Sequence, residues 1–372
     1  MRANDGTRTA AEVLIDALVI NGVRHVFCVP GESYIAALDA FYDRDITLTV
    51  CRHESGAAIM AETCGKMTGR PGICFVTRGP GATNASAGIH IARQDSTPLI
   101  LFVGQIAREM REREAFQELD YRAVFGSIAK WATEIDDPVR IPELLSRAFY
   151  TAMSGRPGPV VIALPEDMLT ERISVPDAPP CEPVETWPGA TDMSRLQKLL
   201  WSAKRPVVLL GGSRWSAAAG AAVERFAERF ALPVATTFRR AHLFHPAHPC
   251  YAGDLGIGPN PKLLARVKGA DLIVRSEAGS ASCPRRPTRC STFPRRARRS
   301  CMFIPARRSL AAFTGRILPS MQRPPLLPRR SKASSRPRNC HGARRRRSRT
   351  PTFSPGPTSR RRCPARSTSA RS

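Results

Sequence analysis

Glu54 is the first of three places in this sequence where residue types and spacing could do chemistry. It stands where the apolar segment 46–54 gives way to the Ala-rich segment 55–69. A carboxylate in apolar surroundings can hold and share a proton, and open α/β sheets bind ligands at the carboxyl ends of their strands. The same residue could instead only stabilise the first turn of a helix through the helix dipole. On local evidence both interpretations stay open.

The second place is GPGATN, residues 79–84. Its glycines would let the backbone approach a ligand closely, a helix start would offer free N–H groups, and Asn84 would supply an amide. The spacing is neither that of a dinucleotide-binding fingerprint nor that of a phosphate loop. A plain tight turn explains the motif equally well.

The third place is FQELD, residues 116–120, which lies in a strongly charged segment. Taken alone, such a segment is typical of a solvated helix. A functional role for it depends on the other two places.

Short apolar segments alternate with segments of helical periodicity through the first 274 residues. Strands are predicted within 25–31, 46–54, 72–84, 98–105 and 156–169, and again within 206–212, 233–238 and 271–274. Helices are predicted over 9–21, 34–42, 55–69 and about 85–93, and again over 193–203, 216–231 and 260–268. This alternation is typical of βαβ units in a parallel sheet.

The alternation is interrupted once, by the Pro-rich segment VPDAPPCEPVETWPGA. We therefore expect an α/β fold with a first parallel-sheet domain over residues 8–175, a linker over 176–190 and a truncated second, Rossmann-like α/β domain over 191–274. Residues 275–372, rich in Arg, Pro and Ser, are predicted to form a disordered basic tail.

Five motifs, taken together, resemble a known family in order and spacing. They are VPGE (29–32), RHESGAAIMAE (52–62), TGRPGICFVTRGPGATN (68–84), DSTPLILFVGQ (95–105) and AFQELD (115–120). The chain resembles the thiamine-diphosphate-dependent enzymes of the acetolactate synthase group, which includes related decarboxylases and carboligases. The resemblance covers roughly residues 8–274. It implies that 8–175 is the pyrimidine-binding domain and 191–274 part of the central domain.

The resemblance implies a role for each matched position. Glu54 matches the glutamate that hydrogen-bonds the aminopyrimidine ring of thiamine diphosphate. That contact favours the imino tautomer, whose nitrogen removes the thiazolium proton to give the ylid. The matches to the backbone turns lining the pyrimidine pocket are Pro30, Gly31, Thr77, Gly79 and Asn84. Phe116 and Gln117 match positions that face the substrate.

The implied reaction is decarboxylation of a 2-keto acid such as pyruvate, with transfer of the two-carbon unit to an acceptor. In the family the first domain pairs with the diphosphate-binding domain of a partner subunit, so a homodimer or tetramer is expected. The family's third domain binds magnesium and diphosphate through a Gly-Asp-Gly motif and a later Asn. No Gly-Asp-Gly occurs in this sequence. No metal-ligating residue is therefore assigned, and the chain alone is expected to be inactive.

Two further comparisons with the family concern residues 63–67 and a flavin cofactor. Where the family commonly has Asp-Gly-Tyr-Ala-Arg, residues 63–67 read TCGKM, which weakens assignment to a biosynthetic acetolactate synthase. FAD in the central domain would be compatible with the family, but no residue of the sequence supports it.

The formal charge of +26 would ordinarily suggest a polyanionic partner. All of this excess lies in the last 98 residues, which hold 27 Lys and Arg and the single acid Glu277. The first 274 residues carry 30 basic and 30 acidic side chains. The whole-chain charge therefore says nothing about the function of the α/β part.

The tail has three interpretations. RRRRSR, residues 344–349, would neutralise phosphates in a nucleic-acid-binding arm, the alternative function for this chain. A disordered linker is the second, because 13 prolines and few apolar residues cannot build a core. The third is translation of GC-rich DNA in a wrong frame, since the tail has one Lys among 27 basic residues.

Codon constraints favour the third interpretation, a frameshift near 274–276. Cys301-Met302-Phe303-Ile304 must be encoded TGY-ATG-TTY-ATH, which reads His/Tyr-Val-His/Tyr from the third base of each codon. With synonymous codons chosen freely, residues 275 to about 316 can be reread as coherent α/β sequence, including the strand QTLVHVHP. We therefore predict no specific nucleic-acid partner.

Other sequence features indicate an ordinary cytoplasmic protein. The start has no apolar core after a basic stretch, and no apolar run approaches the roughly 18–20 residues that span a bilayer. The six cysteines before 275 show no CxxC pairing and are predicted to be buried free thiols.

Overall fold

The computed structural model describes residues 6–183, 188–213, 215–276 and 301–303. Its helices are α1 (Ala10–Ile20), α2 (Ile35–Ala40), α3 (Glu54–Thr68), α4 (Pro80–Asp95), α5 (Tyr121–Phe125), α6 (Ile141–Met153), α7 (Glu166–Thr170), α8 (Ala190–Ser202), α9 (Ala217–Phe230) and α10 (Pro261–Lys268). Its strands are β1 (Arg8–Thr9), β2 (His25–Cys28), β3 (Thr47–Val50), β4 (Gly72–Val76), β5 (Leu99–Gln105), β6 (Trp131–Glu134), β7 (Pro159–Pro165), β8 (Arg172–Ile173), β9 (Pro206–Leu210), β10 (Val234–Thr237), β11 (Tyr251–Leu255), β12 (Leu272–Ser276) and β13 (Cys301–Phe303).

The first large sheet has six parallel strands in the order β3-β2-β4-β5-β7-β6. Every residue of β4, β5 and β7 is buried, because helices cover both faces of a parallel sheet and leave no polar side to its central strands. The predicted α/β class with parallel sheets is confirmed. β6 was not predicted, since WATE is too short and too polar to stand out as a strand.

Each face of the first sheet carries its own apolar core. On one face Phe75 stacks on Phe102 with ring centroids 4.6 Å apart, and Phe41 meets Phe75 edge-on at 5.5 Å. α1 and α6 pack on this side. The opposite face is covered by the small residues of α3 and α4 against β4, β5 and β7. Small side chains let these two helices lie close to the sheet and to each other.

Glycines bring α3 into backbone contact with its neighbours. A Cβ on Gly72 of β4 would lie 1.8 Å from the carbonyl oxygen of Ala61. A Cβ on Gly65 would lie 2.2 Å from the carbonyl oxygen of Pro98, and one on Gly88 of α4 would lie 2.5 Å from the Cβ of Ala58. The positions of α3 and α4 are therefore fixed by backbone packing.

Gly72→Ala is expected to lower the free energy of unfolding by about 1–3 kcal/mol, because α3 would have to move off β4. The matched control is Gly56→Ala in α3, where nothing lies within 4 Å of the added methyl group. This change is expected to be neutral or to stabilise by up to about 1 kcal/mol. Urea unfolding of the two variants checks the difference, and equal stabilities would contradict it.

α4 begins earlier than predicted. The sequence predicts a helix from about Ala85, after a glycine-rich turn, whereas α4 starts at Pro80. Proline at the first helical position loses no hydrogen bond and has a helical φ. Only Gly79 remains in the turn, at φ 55° and ψ −113°, and Asn84 lies inside α4. A second difference concerns β3, which was predicted within 46–54 and ends at Val50. The chain then leads into α3, and the His53 side chain caps this helix by accepting a hydrogen bond from the Ser55 N–H.

The second large sheet is parallel, in the order β11-β10-β9-β12-β13. β9 lies between β10 and β12, and its core is formed with α8 and α9. β13 pairs with β12 through Ile273 opposite Cys301 and Val274 opposite Met302. Apart from Arg275, Ser276 and the strand β13, the predicted disordered tail lies outside the described residues.

The cysteine prediction holds in part. All six cysteines of the α/β part are free; Cys28 and Cys74 are buried, and the others are partly buried. Burial raises the pKa of the Cys28 thiol to about 11. Among the described residues, no helix is both long and apolar enough to cross a membrane.

Candidate functional site

Glu54 and Asn84 meet where α3 and α4 begin. The Asn84 side-chain amide donates a hydrogen bond to Glu54 Oε2 at 3.0 Å, and the Ser55 hydroxyl donates to the Asn84 carbonyl at 2.5 Å. No described residue donates to the second oxygen, Oε1. Glu54 is half-buried, so one oxygen is held by the protein while the other can meet a ligand.

Thr77 lies between Glu54 and the turn after β2. A Cβ on Gly31 would lie 2.4 Å from the Thr77 Cβ, and a Cβ on Gly81 would lie 2.7 Å from Thr77 Cγ2 and 3.7 Å from Glu54 Oε1. The Ser33 and Thr77 hydroxyls are 2.9 Å apart. These contacts connect Gly31, Ser33, Thr77, Gly81 and Glu54 into one set of neighbouring residues, which we call the lining. Sequence reasoning missed Ser33 and Gly81.

Pro30 precedes Gly31 and is exposed. It adjoins the lining through its neighbour Gly31.

Gly79, predicted to line the cofactor, packs against Gln117, predicted to face the substrate. A Cβ on Gly79 would lie 2.7 Å from the Cβ of Gln117. Gln117 has φ 67°, a left-handed backbone conformation, and Phe116 beside it is 74% exposed. The segment 111–120 is irregular rather than the solvated helix that its composition favours.

Tyr121 is a residue of this region that sequence reasoning missed. Its hydroxyl accepts a hydrogen bond from the Gly79 N–H at 2.8 Å, and the side chain is 2% exposed. Burial raises the pKa of Tyr121 to about 12. The contact spans 42 residues, so no local sequence pattern could have predicted it.

Tyr121→Phe is expected to lower the free energy of unfolding by about 1–3 kcal/mol, because a buried N–H loses its acceptor. The raised pKa means that wild type loses stability as the pH rises from about 10 towards about 12; the variant should lose less. Urea unfolding at neutral and alkaline pH checks both. Tyr42→Phe, at a 90% exposed side chain, should change stability by less than about 0.5 kcal/mol. An unaltered Tyr121 variant would contradict the assignment.

Neither a metal-binding cluster nor the cavity next to the second sheet involves the residues predicted for cofactor or substrate. Within the described ranges, no group of three or more His, Cys, Asp or Glu could hold a metal ion. A cavity of about 460 Å³ lies between the last turn of α3 and the second sheet, lined in part by Lys66, Arg239 and Arg240. None of the residues predicted for cofactor or substrate lines this cavity.

This parallel-sheet fold, with a carboxylate at the start of one helix and an amide on the next, belongs to a known class. Residues 8–124 match the family model for the thiamine pyrophosphate enzyme N-terminal TPP binding domain. Residues 193–275 match the model for the central domain of the same enzymes. The chain belongs to the thiamine pyrophosphate enzyme family over these two regions.

Within that family, the chain is similar to acetolactate synthases. It is 36% identical over 272 residues to a probable acetolactate synthase large subunit of Methanocaldococcus jannaschii, covering 71% of this chain and 46% of that protein. It is 33% identical over 266 residues to an acetolactate synthase of Bacillus subtilis, covering 71% and 47%. It is 33% identical over 280 residues to the acetolactate synthase isozyme 3 large subunit of Escherichia coli, covering 71% of this chain and 47% of that protein. The chain spans about half the length of these curated relatives.

Proposed function

We propose that this chain carries the pyrimidine-binding half of a thiamine diphosphate site, with Glu54 as its proton-sharing carboxylate. The observation that carries the proposal is the Glu54–Asn84 pair, in which Oε2 accepts from the amide at 3.0 Å and Oε1 lies near Gly81 in the first turn of α4. The backbone at Gly31 and Gly81 packs directly against Thr77, because a methyl group at either position would collide with that residue. Family membership supports thiamine diphosphate as the ligand.

Each residue of the lining then has a distinct task. Glu54 Oε1 binds the aminopyrimidine and holds or returns its proton, since carboxylates are effective general acid–base groups when positioned. Asn84 fixes the carboxylate through Oε2. Pro30, Gly31, Thr77 and Gly79 line the ring, and Phe116 and Gln117 face the substrate. When bound, thiamine diphosphate supplies the carbanion chemistry at the keto carbon.

The parent reaction that we propose is decarboxylation of a 2-keto acid such as pyruvate, with transfer of the two-carbon unit to an acceptor. The names of the relatives, acetolactate synthases, support this substrate class. The same proposal includes the assembly of the parent enzyme. It would be a homodimer or tetramer in the cytoplasm, and its third domain would hold magnesium and diphosphate. Because the sequence contains no Gly-Asp-Gly, we propose that this chain alone does not turn over.

We further propose that the gene leaves its original frame near residues 274–276. Three observations support this. The excess positive charge begins there, and the central-domain match ends at residue 275. With synonymous codons chosen freely, the shifted frame can be reread as coherent α/β sequence.

Ligand-observed NMR of the full chain with thiamine tests the binding proposal. Saturation transfer is expected to be stronger at the pyrimidine protons than at the thiazolium ethyl group, because Glu54 and its lining meet the pyrimidine. An excess of a 4-aminopyrimidine should displace thiamine. Equal saturation of both rings, or none, would contradict the assignment.

A further inference from the structure

Arg78 is a buried charged residue next to the proposed pocket, and no motif reasoning singled it out. It stands between Thr77 and Gly79, and its side chain is 9% exposed. A guanidinium is buried at low cost only where several oxygen atoms accept its hydrogen bonds. The partners of Arg78 therefore indicate what the residue holds together.

Three segments at the carboxyl end of the first sheet meet at this guanidinium. Nη2 donates to Glu32, which follows β2, at 2.7 Å, and Nη1 donates to Glu166, which follows β7, at 3.0 Å. Nε donates to the carbonyl oxygen of Phe116 at 3.2 Å. The planar guanidinium presents donors from three separate nitrogens in a rigid fork, whereas a lysine ammonium donates from a single nitrogen.

The Phe116 bond anchors a segment whose conformation needs support. Gln117 has φ 67°, and a residue other than glycine stays in this region only where its surroundings hold it. Gly79 packs against Gln117, and the Gly79 N–H is bonded to Tyr121. Arg78 adds a charged contact at Phe116 and ties this part of the segment to Glu32 after β2 and to Glu166 after β7. The two ends of the segment are held separately, by the Arg111–Glu134 ion pair and by the hydrogen bond from Gln105 to the Leu119 carbonyl.

We propose that Arg78 is a positioning residue that holds Phe116 and Gln117 against the Gly79 turn and thereby sets the substrate side of the pocket. The substrate side rests on the proposed function, whereas the anchoring of the segment does not. Without Arg78, the Phe116 carbonyl loses its donor, and Glu32 and Glu166 lose their shared cation. The segment 111–119 should then open locally while the sheet beneath it remains folded.

Hydrogen exchange of the full chain, followed by mass spectrometry, tests the anchoring. In Arg78→Met, amides of 111–119 should exchange about tenfold faster than in wild type, because local opening exposes them. Arg78→Lys should fall between the two. The matched control is Arg140→Met, an exposed arginine paired with Glu143, which should leave exchange at 111–119 unchanged.

Two results would overturn the proposal. One is unchanged exchange at 111–119 in Arg78→Met; the other is an equal rise in β4 and β5, which would indicate general destabilisation. If Arg78→Met does not fold, Arg78→Lys and Glu166→Gln provide the same comparison, each keeping part of the network. Loss of the thiamine signal in wild type would contradict the proposed function only, and the exchange result would still decide the role of Arg78.

Discussion

A gene with one nucleotide inserted near codon 274 is expected to encode a longer protein that consumes pyruvate in the presence of thiamine diphosphate and magnesium. The present chain should show no turnover above background under the same conditions. The physical reason is that the chain carries only the proposed pyrimidine lining around Glu54, while the sequence contains no Gly-Asp-Gly to hold magnesium and diphosphate. Release of CO₂ from purified proteins measures the difference.

The control gene carries the same insertion and a compensating deletion a few codons later, which restores the present tail. It should behave as the present chain. Sequencing through codon 274 and about 750 bases beyond, the length that encodes a domain of about 250 residues, shows whether the shifted frame stays open and encodes a Gly-Asp-Gly. A stop codon soon after the insertion, or turnover by the present chain, would contradict the frameshift.

Glu54→Gln in the restored protein is expected to lower kcat by about 10²–10⁴-fold, the usual contribution of a positioned acid–base group. Glutamine can still accept the Asn84 hydrogen bond, so the fold of α3 and α4 should be unchanged. It cannot exchange a proton with the aminopyrimidine. The reduction should therefore appear in kcat more strongly than in the binding of the 2-keto acid.

Glu143→Gln is the matched control for the Glu54 variant. Glu143 of α6 forms an exposed ion pair with Arg140, which precedes the helix. Its replacement should leave kcat within about twofold of wild type, because exposed ion pairs contribute little to stability. In the present chain, the same Glu54→Gln change should weaken the thiamine saturation signal at the pyrimidine protons. Full activity of the restored Glu54 variant would assign the proton transfer to another group.

The parts of the site that could be predicted are those encoded within one motif. Glu54 at a helix start and Asn84 at the end of the glycine-rich motif were predicted from their own segments, and the structure brings them within hydrogen-bond distance. The start of α4 was placed about five residues too late because a glycine-proline pair is typical of a turn, although proline also suits the first position of a helix.

The contacts that could not be predicted join distant segments. Tyr121 binds the Gly79 N–H across 42 residues, and Arg78 reaches Glu166 across 88. Which side chain fills such a position depends on how the loops after β2, β4 and β7 converge. Local periodicity carries no information about that convergence, so it cannot identify Tyr121 or Arg78.

The close packing of α3 and α4 has a consequence for how this site can diversify. At Gly65, Gly72 and Gly88 even one added carbon atom would meet another residue at 2.5 Å or less, so substitutions there cannot shift the helices by small steps. The distance between Glu54 and Asn84 is therefore fixed by the packing of α3 and α4. We expect new substrate preferences to come from segments free of this constraint. Residues 111–120, with the exposed Phe116, form such a segment, and substitutions at its exposed positions should leave the Glu54–Asn84 hydrogen bond intact.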